Sequence, residues 1–329
     1  MKILLSIPGH TRTIPMGRFV EDALRQLGHE VVVFNHERED QVDRLREKVS
    51  FRRFVARKNR LVLELAAREK PDAFFTLYGK THDAATLHEL RRRGIPTLNW
   101  WLNDPFDLGP QHVPVKEYDH FFTNSRGTHA VYRHYGARHV HYLPVDIDPA
   151  VHRPLPAADK KYDIVFAGDW HTIREKVMLE VTRHHNVALM GPWRREMPKD
   201  SPLLPHFIQQ GYFTPAQMAT AFNEARIVLN LHTWYGRWDY GVNPRLFEAS
   251  GCRSFQVCDW KEEIPDLYQP DREIVLYRHT DELPELLAHW LARPAADRAA
   301  VADAALARTL RDHTYPQRMQ ELLAVAGLG

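Results

Sequence analysis

Short apolar runs alternate with longer stretches whose apolar residues recur at helical spacing, from one end of the chain to the other, and this alternation limits the fold more than any other feature. KILLSI leads into a helical pattern through Phe19, Val20, Ala23, Leu24 and Leu27, and EVVVF follows. Strand, helix and strand in that order make a β-α-β unit, whose two strands are parallel and whose crossover is right-handed. Gly28 stands where a left-handed turn ends the helix. A stripe of Phe51, Phe54, Val55, Leu61, Val62 and Leu65 predicts a long helix. DAFFTLYG, a helix ending near Arg93, TLNWW, HFFTNS and HVHYLP continue the series.

After Pro144 the texture changes to PVDIDPAVHRPLPAADKKYD, whose proline and charge suit an interdomain connection. A second alternation begins at DIVFAGDW and runs through a helix near Glu175 to His184, NVALMG, a helix from Pro215 to Ala225, RIVLNLH, a helix starting near Pro244, and SFQVCD. Helical patterns follow from Asp281 to Leu291, from Asp297 to Leu310 and after Tyr315, and the last is expected to return to the first domain. A chain of 329 residues is longer than one hydrophobic core usually organises. The expected fold is therefore α/β, with two doubly wound domains, 1–150 and 151–329, facing one another across a cleft. Ligands belong at the strand C-terminal ends lining that cleft.

The balance of charge removes several classes of partner. Lys and Arg total 44 against 42 Asp and Glu, so there is no global field to gather nucleic acid or a membrane. The apolar run in MKILLSIPGH is ended by Pro8 and Gly9, too soon for a signal peptide, and no run approaches the ~20 residues of a membrane helix. The two cysteines, Cys252 and Cys258, lie too close in sequence to cross-link distant elements, and no histidine pair at ligand spacing accompanies them. The expected compartment is the cytoplasm.

The most informative segment runs from Tyr240 to Gly251, a loop entering a helix. Pro244 suits a first helical turn, and Gly241 lets backbone approach a ligand, so amides near Gly241, Val242 and Asn243 are placed to receive a diphosphate. Glu248 follows one turn later, where a carboxylate can accept ribose hydroxyls, and Arg245 can neutralise phosphate. The competing reading is a surface ion pair between Arg245 and Glu248.

NPRLFEASGCRSF, with ARIVLNLH upstream and PDREIVLYRHTDELPELLAHWL and RDHTYPQRMQELL downstream, resembles the CgeB-like glycosyltransferases of the two-Rossmann-domain GT-B class. NWWLNDPFDL and FFTNSRGTHAVYRHYGARHVHYLPVDIDPAVHRP extend the resemblance more weakly into the first half. It implies a nucleotide-sugar donor, such as a UDP-sugar, held by the C-terminal domain. Glu248 then corresponds to the ribose-binding acid and Arg245 to the arginine just before it. Gly168 ends the domain's first strand, and Arg174 resembles the arginine facing the diphosphate. Gly191 and Trp193 belong to the loop bordering the base, where an indole can stack or pack. Many retaining enzymes of the wider class carry a second glutamate eight residues before the ribose-binding one; Tyr240 occupies that position here, beside Asp239. Retention and inversion both stay open.

On the acceptor side, His10 follows the first strand and Asp104 lies in WWLNDPFD, so both are candidates for the general base. A turn histidine and an Asp-Pro turn initiator are their plainer readings. Trp100 and Trp101 are either a sugar platform or core. Asp146-Ile147-Asp148 matches a metal motif of the other major glycosyltransferase fold, but it sits in the interdomain connection, and neither a metal nor a cofactor is expected. The run from Arg44 to Arg60 is strongly basic, a solvated face or a contact for an anionic acceptor. The expected function is metal-independent sugar transfer to an unidentified acceptor, a glycan, protein, small molecule or polymer. The alternatives are a non-catalytic nucleotide or sugar binder and a nucleotide-sugar isomerase.

Overall fold

In the computed structural model, residues 1–9, 15–37, 41–109, 113–156 and 159–329 are described. The chain divides into two compact units, one formed by Met1–Pro144 with Tyr315–Gly329 and the other by Val145–Thr314. The division falls at Pro144 and not at residue 150.

The first unit begins with β1 (Lys2–Ile7), α1 (Met16–Gln26) and β2 (Glu30–Asn35). Two helices follow, α2 (Gln41–Val49) and α3 (Phe51–Glu69), where the sequence predicts one. Ser50 separates them by taking an extended conformation and accepting the Arg53 amide as the cap of α3. Then come β3 (Ala73–Leu77), α4 (Ala84–Arg92), β4 (Thr97–Trp101), β5 (His120–Thr123), α5 (His129–His134) and β6 (Val140–Tyr142). The strands form one parallel sheet in the order β2-β1-β3-β4-β5-β6, so the direction of winding reverses between β1 and β3. Strands β3 and β4 are buried along their whole length, as the nearly unbroken apolar runs AFFTL and TLNWW require of central parallel strands.

The second unit contains β7 (Tyr162–Ala167), α6 (Thr172–Val181), β8 (Val187–Gly191), β9 (Phe207–Gln210), α7 (Pro215–Asn223) and β10 (Ala225–Asn230). It continues with α8 (Arg245–Gly251), β11 (Gln256–Asp259), α9 (Ile264–Leu267), β12 (Val275–Tyr277), α10 (Leu283–Ala292) and α11 (Ala295–Asp312). Its parallel sheet has the order β12-β11-β10-β7-β8-β9, the doubly wound Rossmann arrangement, with the reversal between β7 and β10. The crevice beyond the carboxyl ends of those two strands is where such a sheet binds ligands. The last helix, α12 (Tyr315–Val325), belongs to the first unit and packs on α1, with the Tyr315 ring 5.4 Å from Phe19.

Candidate donor site

Two of the residues singled out in the sequence, Arg245 and Glu248, meet at the end of β7. Arg245, at the start of α8, donates from Nε to the carbonyl of Ala167 at 3.2 Å and lies over the Phe213 ring at 5.4 Å. Its guanidinium pairs with the Glu248 carboxylate one turn along the same helix. Glu248 is no surface residue, since its side chain is 12% exposed, and its other oxygen lies 3.6 Å from His152 Nε2. Burial lowers the His152 pKa while the Glu248 charge opposes that shift. The competing reading of an exposed pair is therefore half right: the ion pair exists, but it is tucked against the end of β7.

Arg174 is committed elsewhere. It is buried, and donates to the Leu231 carbonyl from Nε and Nη2 at 2.9 and 2.6 Å and to the Asp169 carbonyl from Nη1 at 2.9 Å. It ties the end of β7 to the end of β10 instead of facing a diphosphate. Trp193 also departs from expectation. It is fully buried among Phe166, Phe207 and their neighbours, and its Nε1 donates to the Gly168 carbonyl at 2.8 Å, so no face is left for a base. Gly191 is required for that close packing: at φ +151, a Cβ there would sit 2.0 Å from the Gly168 oxygen.

A groove of about 700 Å³ opens beside these residues, lined by the loops after β7, β8 and β9. Asp169, Trp170, Arg194, Arg195 and Tyr212 contribute to its walls. Trp170 is steadied by donation from Nε1 to Glu175 at 2.7 Å, and Tyr212 is largely exposed. Aromatic faces with two arginines suit a base joined to phosphates. None of Trp170, Arg194, Arg195 and Tyr212 stood out in the sequence, because nothing in their spacing distinguishes them from ordinary loop residues.

The loop between β10 and α8 was expected to offer free amides, and the structure corrects this. Gly241, at φ +78, donates its amide to both oxygens of buried Glu263 at 2.9 and 2.8 Å. The Asn243 amide donates to His232 Nε2 at 3.0 Å, and Val242 is buried. The loop is bolted down at further points, from Trp234 Nε1 to the Tyr240 carbonyl, from Lys261 Nζ to the Trp238 carbonyl and from the Glu262 amide to the Asp239 carbonyl. Tyr240 itself is partly exposed on this loop.

Behind the loop lies a buried knot of polar side chains. His232 donates its Nδ1 proton to Asp259 at 2.7 Å, its backbone amide donates to the same oxygen at 2.9 Å, and Lys261 Nζ lies 3.3 Å from the other. The ring is therefore neutral, with Nε2 free to accept from Asn243, in line with burial lowering its pKa. His232, Cys258 and Asp259 are the one convergent group of three metal-ligand types among the described residues. Both imidazole nitrogens are already occupied and the Asp259 charge is met by Lys261, so these residues brace the loop and are not shaped to hold an ion. Asp146 and Asp148 are likewise structural: Asp146 is buried, and Asp148 accepts the Ala150 amide at 2.8 Å.

In the first unit Asp104 is the hub of a hydroxyl cluster. It accepts from Thr123 and Tyr132 and, at 2.8 Å, from Thr128, and burial raises its pKa to about 6. Enclosed and with both oxygens engaged, it shapes the sheet end and does not reach an acceptor. Trp100 and Trp101 are fully buried core. His10 lies outside the described residues. A cluster with no sequence signal, Ser6, His36 and His82, is buried at the switch between β1 and β3, with Ser6 Oγ 2.9 Å from His36 Nδ1 and 2.8 Å from His82 Nε2.

Two parallel doubly wound sheets of this kind make up the GT-B fold, and the comparisons agree on that fold. Residues 172–324 match the glycosyl transferase-like family. The chain is similar to the spore protein CgeB of Bacillus subtilis strain 168, at 22% identity over 269 residues covering 78% of this chain and 83% of that protein. Among solved structures it resembles sucrose-phosphate synthase from Thermosynechococcus elongatus, at TM-score 0.73 and 11% identity over 99% of both chains. It also resembles Anabaena HepE in complex with UDP-glucose, at TM-score 0.65 and 13% identity over 99% of both chains. No described helix is long and apolar enough to cross a membrane.

Proposed function

We propose that this chain transfers a sugar from a UDP-sugar to an acceptor hydroxyl, holding the donor in its second unit. The observation that carries the reading is the Arg245–Glu248 pair hydrogen-bonded to Ala167 at the end of β7 at the switch point, while the groove of about 700 Å³ is lined from Asp169, two residues further along the chain. Glu248 accepts the ribose hydroxyls, Trp170 or Tyr212 takes the face of the uracil, and Arg245, Arg194 and Arg195 neutralise the diphosphate. The start of α6, directly after β7 and with no side chain capping it, adds its dipole to the same anion. Fixed cations aimed at the leaving diphosphate stabilise the charge that grows in the transition state, so the reaction needs neither a divalent ion nor a cofactor. Gly168 and Gly191 let the chain pass closely at the strand ends, and Gly241, Val242 and Asn243 act by fixing the loop below Arg245.

Activation of the acceptor falls to His10, by its place directly after β1 in the chain, since Asp104 is enclosed. The test is release or transfer of glucose from UDP-glucose with and without EDTA, with Glu248→Ala as control. Turnover that persists in EDTA and collapses in the variant is expected. A requirement for added metal would overturn the metal-independent step, and tight UDP binding without turnover on any acceptor would make the chain a binding protein.

A further inference from the structure

Helix α2 is built the wrong way round for a protein surrounded only by water. Its single buried residue is an acid, Asp43, which is clamped by Lys58 Nζ at 3.2 Å, Arg57 Nη1 at 3.2 Å and Arg46 Nη1 at 3.4 Å. Its three apolar side chains all point outward, with Val42 51% exposed, Leu45 63% and Val49 72%. Spaced i, i+3 and i+7, they form one stripe, which Phe51, 59% exposed at the start of α3, prolongs. Singly exposed apolar residues are ordinary, but four adjoining ones mark a contact surface.

The surroundings of the stripe are basic. Residues 41–60 carry eight Lys and Arg against two Asp and Glu, in a chain whose net charge is only +2. Between α2 and α3 lies a groove of about 380 Å³ in which Leu45, Val49 and Phe54 meet Arg46, Arg53 and Arg57. Apolar floor and cationic rim together match a lipid, whose acyl region and phosphate lie a few ångströms apart, and an amphipathic helix of this type lies in the plane of a membrane surface. A second copy of the chain is disfavoured, because a two-fold contact would set the exposed cations Arg44, Lys48, Arg52 and Arg53 against their own copies. Nucleic acid would use the cations but leave the apolar stripe in water.

We propose that α2 and the first turn of α3 dock this protein onto the surface of an anionic bilayer, with Val42, Leu45, Val49 and Phe51 entering the headgroup boundary and the surrounding arginines and lysines meeting lipid phosphates. The proposal is independent of the donor reading and is tested without turnover. Full-length protein is floated with phosphatidylcholine vesicles containing phosphatidylglycerol, and with phosphatidylcholine alone. Retention on the anionic vesicles only is expected, lost in high salt. The triple variant Leu45→Asp, Val49→Asp and Phe51→Asp, and the triple variant Arg44→Glu, Lys48→Glu and Arg52→Glu, should each weaken partition by about tenfold or more. Both should keep the wild-type circular dichroism and melting temperature, because the side chains changed are exposed. Absence of retention on anionic vesicles would overturn the proposal, as would retention indifferent to the apolar triple variant. A wild-type dimer that the apolar variant dissolves would assign the face to a second copy instead.

Discussion

Substituting Asp259→Asn tests the buried knot behind the donor loop with a change of almost no volume. The amide oxygen can still accept from His232 Nδ1 and from its backbone amide, so the loop's geometric anchor survives. What is lost is the charge facing Lys261, a fully buried ammonium whose nearest carboxylate oxygen, at 3.3 Å, becomes an NH2 that can only donate. Removing one partner of a buried pair costs about 3–5 kcal/mol, because the other charge stays behind uncompensated. The Trp238 carbonyl, which Lys261 Nζ meets at 3.0 Å, stays in place and leaves the ammonium one acceptor, so the lower end of the range, about 3 kcal/mol, is expected. Urea unfolding followed by tryptophan fluorescence measures the loss. The double variant Asp259→Asn with Lys261→Met, which removes both charges and keeps an oxygen for the two His232 donors, should recover at least ~1 kcal/mol of that loss. A single variant within ~0.5 kcal/mol of wild type, or a double variant as unstable as the single, would refute the reasoning.

Replacing Trp193 by Ala should destabilise the second unit by about 3–5 kcal/mol, read as a lower urea midpoint, whereas Tyr212→Ala should weaken UDP binding in calorimetry with little change in stability. His36 and His82 are buried and neutral, with pKa values depressed by burial, that of His82 to about 4. Their folded values lie below the unfolded value, so the stability they confer is present above about pH 6.5 and is lost as pH falls toward 4. A melting temperature that drops across that window, and drops less in His82→Phe, is expected. Asp104 has the opposite sign, since its raised pKa of about 6 means that folding favours the neutral acid. Asp104→Asn should therefore fold normally and retain turnover, and a dead but folded variant would restore it as the base.

The strand and helix alternation was legible because parallel strands and their crossover helices have unlike periodicities, and the six strands of the first sheet and the four inner strands of the second followed from it; the edge strands β9 and β12 did not, because FIQQ is half polar and VLY is only three residues long. The break between α2 and α3 was not, because Val42, Leu45 and Val49 imitate a core stripe while facing solvent, and the residue that anchors α2 is Asp43. At the candidate donor site Arg245 and Glu248 could be found, since a helix start fixes the spacing between them. The roles of Arg174 and Trp193 could not, because an arginine or a tryptophan beside a strand end has the same sequence whether it faces ligand or backbone. Only packing shows that Arg174 braces Leu231 and that Trp193 fills the core. Glu263 and Lys261 secure the loop from more than twenty residues away, a partnership no local pattern announces.

Calorimetric titration of UDP into wild-type protein and Glu248→Ala puts the central claim to its most direct test. Losing a carboxylate that accepts ribose hydroxyls, at about 1.5–3 kcal/mol for a charged hydrogen bond, should weaken binding by roughly 10- to 100-fold while the fold remains intact. Equal affinity in the two proteins would contradict the account, because the ribose would then be held by some other group.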